Sequence, residues 1–238
     1  MINVLIPAMG NSEFFKDSYF PKILTEISGE TMLERVVEDY RDLESVNFIF
    51  VFHEEDCRRF HMDDSVRILA PSSHVIKLSN QTAGALCTCL MAIDLIDKEE
   101  PLIIANCDQI IDVAYGEVIS SFDEGGYDAG VITFPSVHPR WSYALVRDCA
   151  VVEIAEKRPI SRHAIAGFYY YAKGADYIDA ARRALLKQNS LDGRYYISAT
   201  MNEMILQGSK IGYYEIGKEQ YNSFYSPAKI KEYEDKEK

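Results

Sequence analysis

The chain has 238 residues, 47% of them hydrophobic and 26% charged, which is enough for a sizeable buried core and unlike a disordered tail or a fibrous repeat. Lys and Arg number 25 against 37 Asp and Glu, a net charge of −12, with a pI of about 4.9. No stretch gathers the basic face that a nucleic-acid backbone requires, and no apolar run approaches the roughly 18 residues of a membrane span, so neither nucleic-acid binding nor membrane insertion is expected.

The N-terminal run Met1-Ile2-Asn3-Val4-Leu5-Ile6-Pro7 has no positively charged leader. It reads as a buried strand over 3–6, and a cytoplasmic location is expected. Further short apolar runs predict strands over 47–52, 74–78, 102–106 and 129–133, with helices over 31–43 and 82–96 between them. Alternation of this kind predicts βαβ units on a mostly parallel, mixed sheet of Rossmann-like α/β class, with helices on both faces. The first helix opens on Thr31 and Glu34, the spacing of a capping box, and sets Leu33, Val36, Val37 and Tyr40 on one stripe. Beyond 135 the pattern changes to strands over 142–146, 151–156 and 165–172, helices over 175–187 and 198–207, and a strand over 210–216. A charged tail helix from Pro227, solvated and frayed, is expected to close the chain. With no repeat or linker, residues 1–238 are expected to form one domain. The five cysteines lack metal-site spacing and are expected to be reduced thiols.

Three segments are placed for chemistry. Pro7-Ala8-Met9-Gly10-Asn11-Ser12 is a small-residue turn at the carboxyl edge of the first strand, where backbone N–H groups can approach a phosphate, and Pro21-Lys22 follows with a point charge. Taken alone, Gly10 is equally an ordinary strand-to-loop turn. The strand over 102–106 emerges into Asn106-Cys107-Asp108-Gln109, where Asp108 could hold Mg²⁺ or simply shape a turn. Glu156-Lys157-Arg158-Pro159 through Arg162 and His163 concentrates cations in an acidic chain; this suits a phosphate monoester, although neighbouring carboxylates often neutralise such loops.

In this order the segments resemble the sugar-phosphate nucleotidyltransferases, the glucose-1-phosphate thymidylyltransferase type with a glycosyltransferase-A-like fold. The resemblance rests on Pro21-Lys22-Ile23-Leu24 after the small-residue loop, Gln81-Thr82-Ala83-Gly84-Ala85, Asp108 after the central strand, Glu156-Lys157-Arg158-Pro159, and Gly167-Phe168-Tyr169. It implies a nucleotide-binding half over 1–135 and an acceptor-binding half over 136–226, with the tail over 227–238. It also implies attack by an acceptor phosphate on the α-phosphorus of an NTP (CTP, UTP or dTTP), with release of pyrophosphate and Mg²⁺ as cofactor. On this resemblance Ala8, Met9, Gly10, Asn11 and Ser12 cradle the triphosphate with Lys22 neutralising it. Gln81, Gly84 and Asn106 complete the nucleotide side, Asp108 carries the metal, and Lys157 grips the attacking phosphate. Tyr143, Glu156, Gly167 and Tyr196 are the candidates for the remaining acceptor pocket. Trp141-Ser142-Tyr143 is similar to capsule and surface-polysaccharide members, whose acceptors extend beyond sugar 1-phosphates to metabolites such as phosphocholine or phosphoglutamine. A homo-oligomer is compatible with all of this.

Two departures stand out. Glu13 occupies the place of the family's loop arginine, leaving Lys16 as its substitute or turnover poor. Asn222-Ser223-Phe224-Tyr225-Ser226-Pro227 lacks the second acidic metal ligand of many relatives. These departures keep a catalytically inactive nucleotide-binding module open as an alternative. A nucleotide-sugar-dependent glycosyltransferase is the other, although it would ordinarily present an Asp-x-Asp pair where this chain has Asn106-Cys107-Asp108.

Overall fold

A computed structural model describes residues 1–10 and 13–236. Its strands are β1 (Ile2–Pro7), β2 (Glu26–Ile27), β3 (Glu30–Thr31), β4 (Val46–His53), β5 (His74–Leu78), β6 (Leu102–Ala105), β7 (Gln109–Ile111), β8 (Ala129–Pro135), β9 (Tyr143–Arg147), β10 (Ala150–Ala155), β11 (His163–Tyr171), β12 (Ile211–Glu215) and β13 (Tyr221–Ser223). The helices are α1 (Met32–Glu38), α2 (Glu54–Phe60), α3 (Met62–Leu69), α4 (Ala85–Leu90), α5 (Tyr115–Glu124), α6 (Gly174–Leu186), α7 (Ser198–Leu206) and α8 (Pro227–Lys236).

Nine strands join in the order β5-β4-β1-β6-β11-β8-β12-β10-β9, so one sheet runs through both halves of the chain. The β5-β4-β1-β6 part is parallel, with Val4 opposite Phe48 and Ile103. Strand β11 inserts antiparallel between β6 and β8, while β12 returns parallel to β8. The expected mixed α/β sheet is therefore present. Its central strands are buried on both faces, which explains their unbroken apolar runs: Val4 and Ile6 face one core, Leu5 the other. Helices α1, α3 and α5 cover the first face and α4, α6 and α7 the second.

Helix α1 carries the expected capping box, the Thr31 hydroxyl accepting from the Glu34 N–H and the Glu34 carboxylate accepting from the Thr31 N–H at 2.7 Å. It ends at Glu38, short of position 43. The helix expected over 82–96 contracts to α4 and starts only after Gly84, which has φ +121° with the Tyr195 backbone packed against it. Helices α2 and α3 were not anticipated: α2 reads Glu-Glu-Asp-Cys-Arg-Arg-Phe and buries only Cys57, so it carries no apolar stripe. The tail helix corrects its expectation. Instead of fraying, α8 buries Ile230, packs Tyr233 edge-on against Phe224, and accepts the Ser28 N–H on Glu234 at 3.0 Å.

Candidate active site

The carboxyl edge of the parallel strands gathers most of the predicted site. After β1, the Ala8 N–H donates to the Val51 carbonyl at 3.0 Å, which binds the loop to β4. Ala8 therefore has no free N–H for a phosphate, a correction to its expected role. Met9 is buried in the second core and Gly10 is exposed with open space around it. Asn11 and Ser12 lie outside the described residues. The chain then forms a short 3-10 turn over Glu13–Phe15 that leaves Glu13 and Lys16 at the surface and buries Phe15.

Lys22 opens a second 3-10 turn directly after Pro21, and its Nζ forms an ion pair with Asp108 Oδ2. The Lys22 side chain is only 12% exposed and lies 5.3 Å from the centre of the Phe15 ring. Two residues 86 apart in sequence thus meet at one point. Asp108 sits between β6 and β7, and its backbone carbonyl accepts the Phe224 N–H at 2.8 Å. That bond continues the pairing of β7 with β13, in which Ser223 stands opposite Gln109. No carboxylate is offered from this segment of the chain. Among the described residues, no three His, Cys, Asp or Glu side chains group as a metal site. A single carboxylate suits Mg²⁺ delivered with a triphosphate, because Mg²⁺ keeps waters and substrate phosphates in its shell rather than demanding an all-protein cage.

Gly167 explains the turn beside Asp108. It has φ +61° within a register shift of β11, and a Cβ there would overlap the Asn106 amide and Gln109 Oε1. Its carbonyl accepts from the Asn106 N–H and from Gln109 Nε2, each at 3.0 Å. Gln109, buried and absent from the expected site, also accepts from the Tyr221 hydroxyl at 3.2 Å. Burial, and then the charge of Asp108, push the Tyr221 hydroxyl far above its usual pKa.

In the segment expected to hold the nucleotide, Gln81 donates from Nε2 to the Met9 carbonyl at 3.4 Å. The Tyr195 backbone then clamps the segment around Gly84: its N–H donates to the Ala83 carbonyl at 2.8 Å and its carbonyl accepts from the Leu86 N–H at 3.2 Å. This clamp brings Tyr196, from the second half of the chain, next to the Gln81–Gly84 segment.

Lys157 has φ +52° and its Nζ donates to the Tyr196 hydroxyl at 2.8 Å, 5.0 Å from that ring's centre. Glu156 is held by two hydroxyls missing from the expected site, accepting from Ser142 at 2.5 Å and Ser198 at 2.7 Å. Burial first, and the Glu156 charge second, raise the Tyr169 hydroxyl pKa. Since Tyr169 pairs with Ile104 on β6, the Glu156 cluster borders the strand that delivers Asp108. Tyr143 corrects its expectation: it is fully buried, with its hydroxyl donating to the His138 carbonyl at 2.7 Å, so it presents nothing to an acceptor. Arg158 turns to Glu153 at 3.0 Å and His163 to Glu215 at 3.2 Å, so the basic segment is partly neutralised as an ordinary surface would be.

No protein-family model and no curated protein matches the sequence. Solved structures do match, along essentially the whole chain. The nucleoside-diphosphate-sugar pyrophosphorylase from Vibrio cholerae superimposes with a TM-score of 0.79 at 21% identity, covering 99% of this chain and 100% of its own. The fold is that of the sugar-nucleotide pyrophosphorylases. An inositol-1-phosphate CTP transferase from T. maritima gives 0.74 at 12% identity, covering 95% of this chain and 90% of that one. The UDP-glucose pyrophosphorylase from Acinetobacter baumanii gives 0.73 at 15%, covering 98% and 92%.

Proposed function

We propose that the chain is a Mg²⁺-dependent nucleotidyltransferase that joins an NMP unit from CTP, UTP or dTTP to the phosphate of a small metabolite. The observation that carries this reading is the Lys22–Asp108 ion pair, set at the carboxyl edge of the fold that these pyrophosphorylases share. An acceptor phosphate oxygen forms the new bond to the α-phosphorus, the bond to the bridging α–β oxygen breaks, and pyrophosphate leaves with that electron pair. The acceptor phosphate is already ionised at neutral pH, so no general base is required, and catalysis rests on positioning and charge neutralisation.

Lys22 is half of a resting pair. When a triphosphate arrives, its ammonium shifts to the phosphate oxygens and frees the Asp108 carboxylate. The cofactor, held by Asp108 and the phosphates, would neutralise charge on the reacting groups. Lys157, pre-positioned by the Tyr196 hydroxyl, takes the acceptor phosphate. Glu156, fixed by Ser142 and Ser198, accepts hydrogen bonds from the acceptor's polar groups. A cytoplasmic enzyme supplying activated units for capsule or surface polysaccharide is the setting we infer.

Lys157→Ala tests the division of labour. A lost charge-assisted contact is worth about 1.5–3 kcal/mol, so acceptor kcat/KM should fall about 10- to 100-fold while NTP affinity holds. An equal loss of both contradicts the role. A second reading, an inactive nucleotide-binding module, draws on Glu13 in the phosphate loop and on Ser223 opposite Gln109 in place of a second acid; retained NTP binding with no pyrophosphate release from any acceptor would support it.

A further inference from the structure

A second concave site lies outside the Lys22–Asp108 edge, between the loop after β8, strand β13 and helix α8, with a volume of about 290 Å³. That is close to the lower bound of about 300 Å³ for small-molecule pockets. Its lining carries four cations, Arg140, Lys218, Lys229 and Lys236, against one carboxylate, Glu232. The lining is thus positive by three charges, His138 uncharged, in a chain whose net charge is −12. Lys229 and Lys236 share Glu232, at 2.5 and 3.6 Å. Arg140 and Lys218 form no ion pair among the described residues.

Arg140 is pre-oriented. Its guanidinium lies 4.0 Å over the Tyr225 ring, and its Nε donates to His138 Nδ1 at 3.2 Å. Stacking holds the planar fork while leaving other N–H groups for an oxyanion. The remaining wall is aromatic: Trp141 packs edge-on against Phe134 and Tyr221, with ring centres 5.5 Å apart in each case. Cations above flat apolar walls match a ligand that joins a phosphate to a ring.

We propose that this pocket binds a small organic phosphate, of the size of a sugar phosphate or nucleoside monophosphate, with Arg140 as its anchor. Its lining includes none of Lys22, Asp108 and Lys157, and the proposal does not depend on the function proposed above. The pocket nevertheless shares β13 with the proposed reaction cleft, since Ser223 pairs with Gln109 and the Phe224 N–H holds the Asp108 carbonyl.

Trp141 is the single tryptophan of the chain, so the emission signal comes from a residue of this wall. The intact protein, without NTP or Mg²⁺, is titrated with UMP, ribose 5-phosphate and inorganic phosphate while Trp141 fluorescence is followed. A saturable change with UMP or ribose 5-phosphate is expected, its half-saturation raised at least tenfold by Arg140→Ala and by Lys218→Ala but unchanged by Lys22→Ala and by Lys157→Ala. Thermal melting confirms that each variant is folded, and Lys218→Ala keeps the test intact should Arg140→Ala fail to fold. No saturable change up to 10-millimolar order, indifference to both Arg140→Ala and Lys218→Ala, or equal weakening by Lys22→Ala or Lys157→Ala overturns the proposal. A response to inorganic phosphate as strong as to the organic ligands overturns it as well, by reducing the site to an ion-binding patch.

Discussion

Gly167 shows how the backbone conformation of one residue shapes the proposed active site. Its positive φ and the close approach of Asn106 and Gln109 leave no room for a side chain. Strain in this backbone region costs about 1–3 kcal/mol, so Gly167→Ala should lower unfolding free energy by at least about that amount in urea titrations. An unchanged midpoint would show that the Asn106 and Gln109 side chains relax freely. The resemblance offered Gly167 as a candidate for the acceptor pocket; what the structure adds is its support of the Asp108 turn. Lys22 and Asp108 stood out in the sequence because each follows a recognisable local feature, a Pro-Lys step or a buried strand, and the structure brings the two together. Ala8 and Tyr143 were misread for the opposite reason: the fate of the Ala8 N–H is decided by Val51, 43 residues away, and a tyrosine beside a pocket looks the same in sequence as a tyrosine beneath it. Ser142 and Gln109 stood inside quoted motifs and Ser198 in none, yet none of the three was given a role, since a hydroxyl or amide becomes functional only through the partner that the fold assigns it.

Among the elements, those with local instructions were readable. The Thr31–Glu34 capping box appears as written in the spacing, while the boundary after Glu38 does not. Asp39 caps that helix end, and burial pushes its carboxyl up to about 7, with Arg35 opposing and Glu38 assisting. The folded state therefore holds this proton more tightly than the unfolded chain. The favourable contribution is present below the ordinary carboxylate value of 3.8 and is lost as pH rises through about 7. Asp39→Asn should accordingly gain stability relative to the wild type as pH increases from about 5 to about 8, read as the difference in urea midpoints. A difference that stays flat or shrinks across that window contradicts this assignment. Helix α5 marks a different kind of miss: Tyr115, Val118, Ile119 and Phe122 form its buried stripe, but the helix begins only six residues after Gln109 and no capping side chain announces it.

Across the whole molecule, the alternation of apolar and amphipathic runs was enough to predict a mixed sheet covered on both faces, because continuous apolar strands can be satisfied only between two helical layers. The insertion of β11 between β6 and β8 was not readable, since antiparallel partners far apart in sequence leave no periodic trace. That insertion matters for function: it carries Gly167 to the Asp108 turn and sets Tyr169 against both the Glu156 cluster and β6. The net charge of −12 coexists with a few placed cations, Lys22 and Lys157 in the proposed cleft and Arg140 and Lys218 in the pocket beside it. The most direct test of the central claim is pyrophosphate release with Mg²⁺, CTP, UTP or dTTP in turn, and a panel of phosphorylated sugars and amino-alcohol phosphates, run on the wild type and on Asp108→Asn. At least one NTP and acceptor pair should release pyrophosphate, and the substitution should slow that release by about 10²- to 10³-fold, the cost of one electrostatic stabiliser. Release that Asp108→Asn leaves unchanged, or silence from the wild type across the whole panel, would contradict the account.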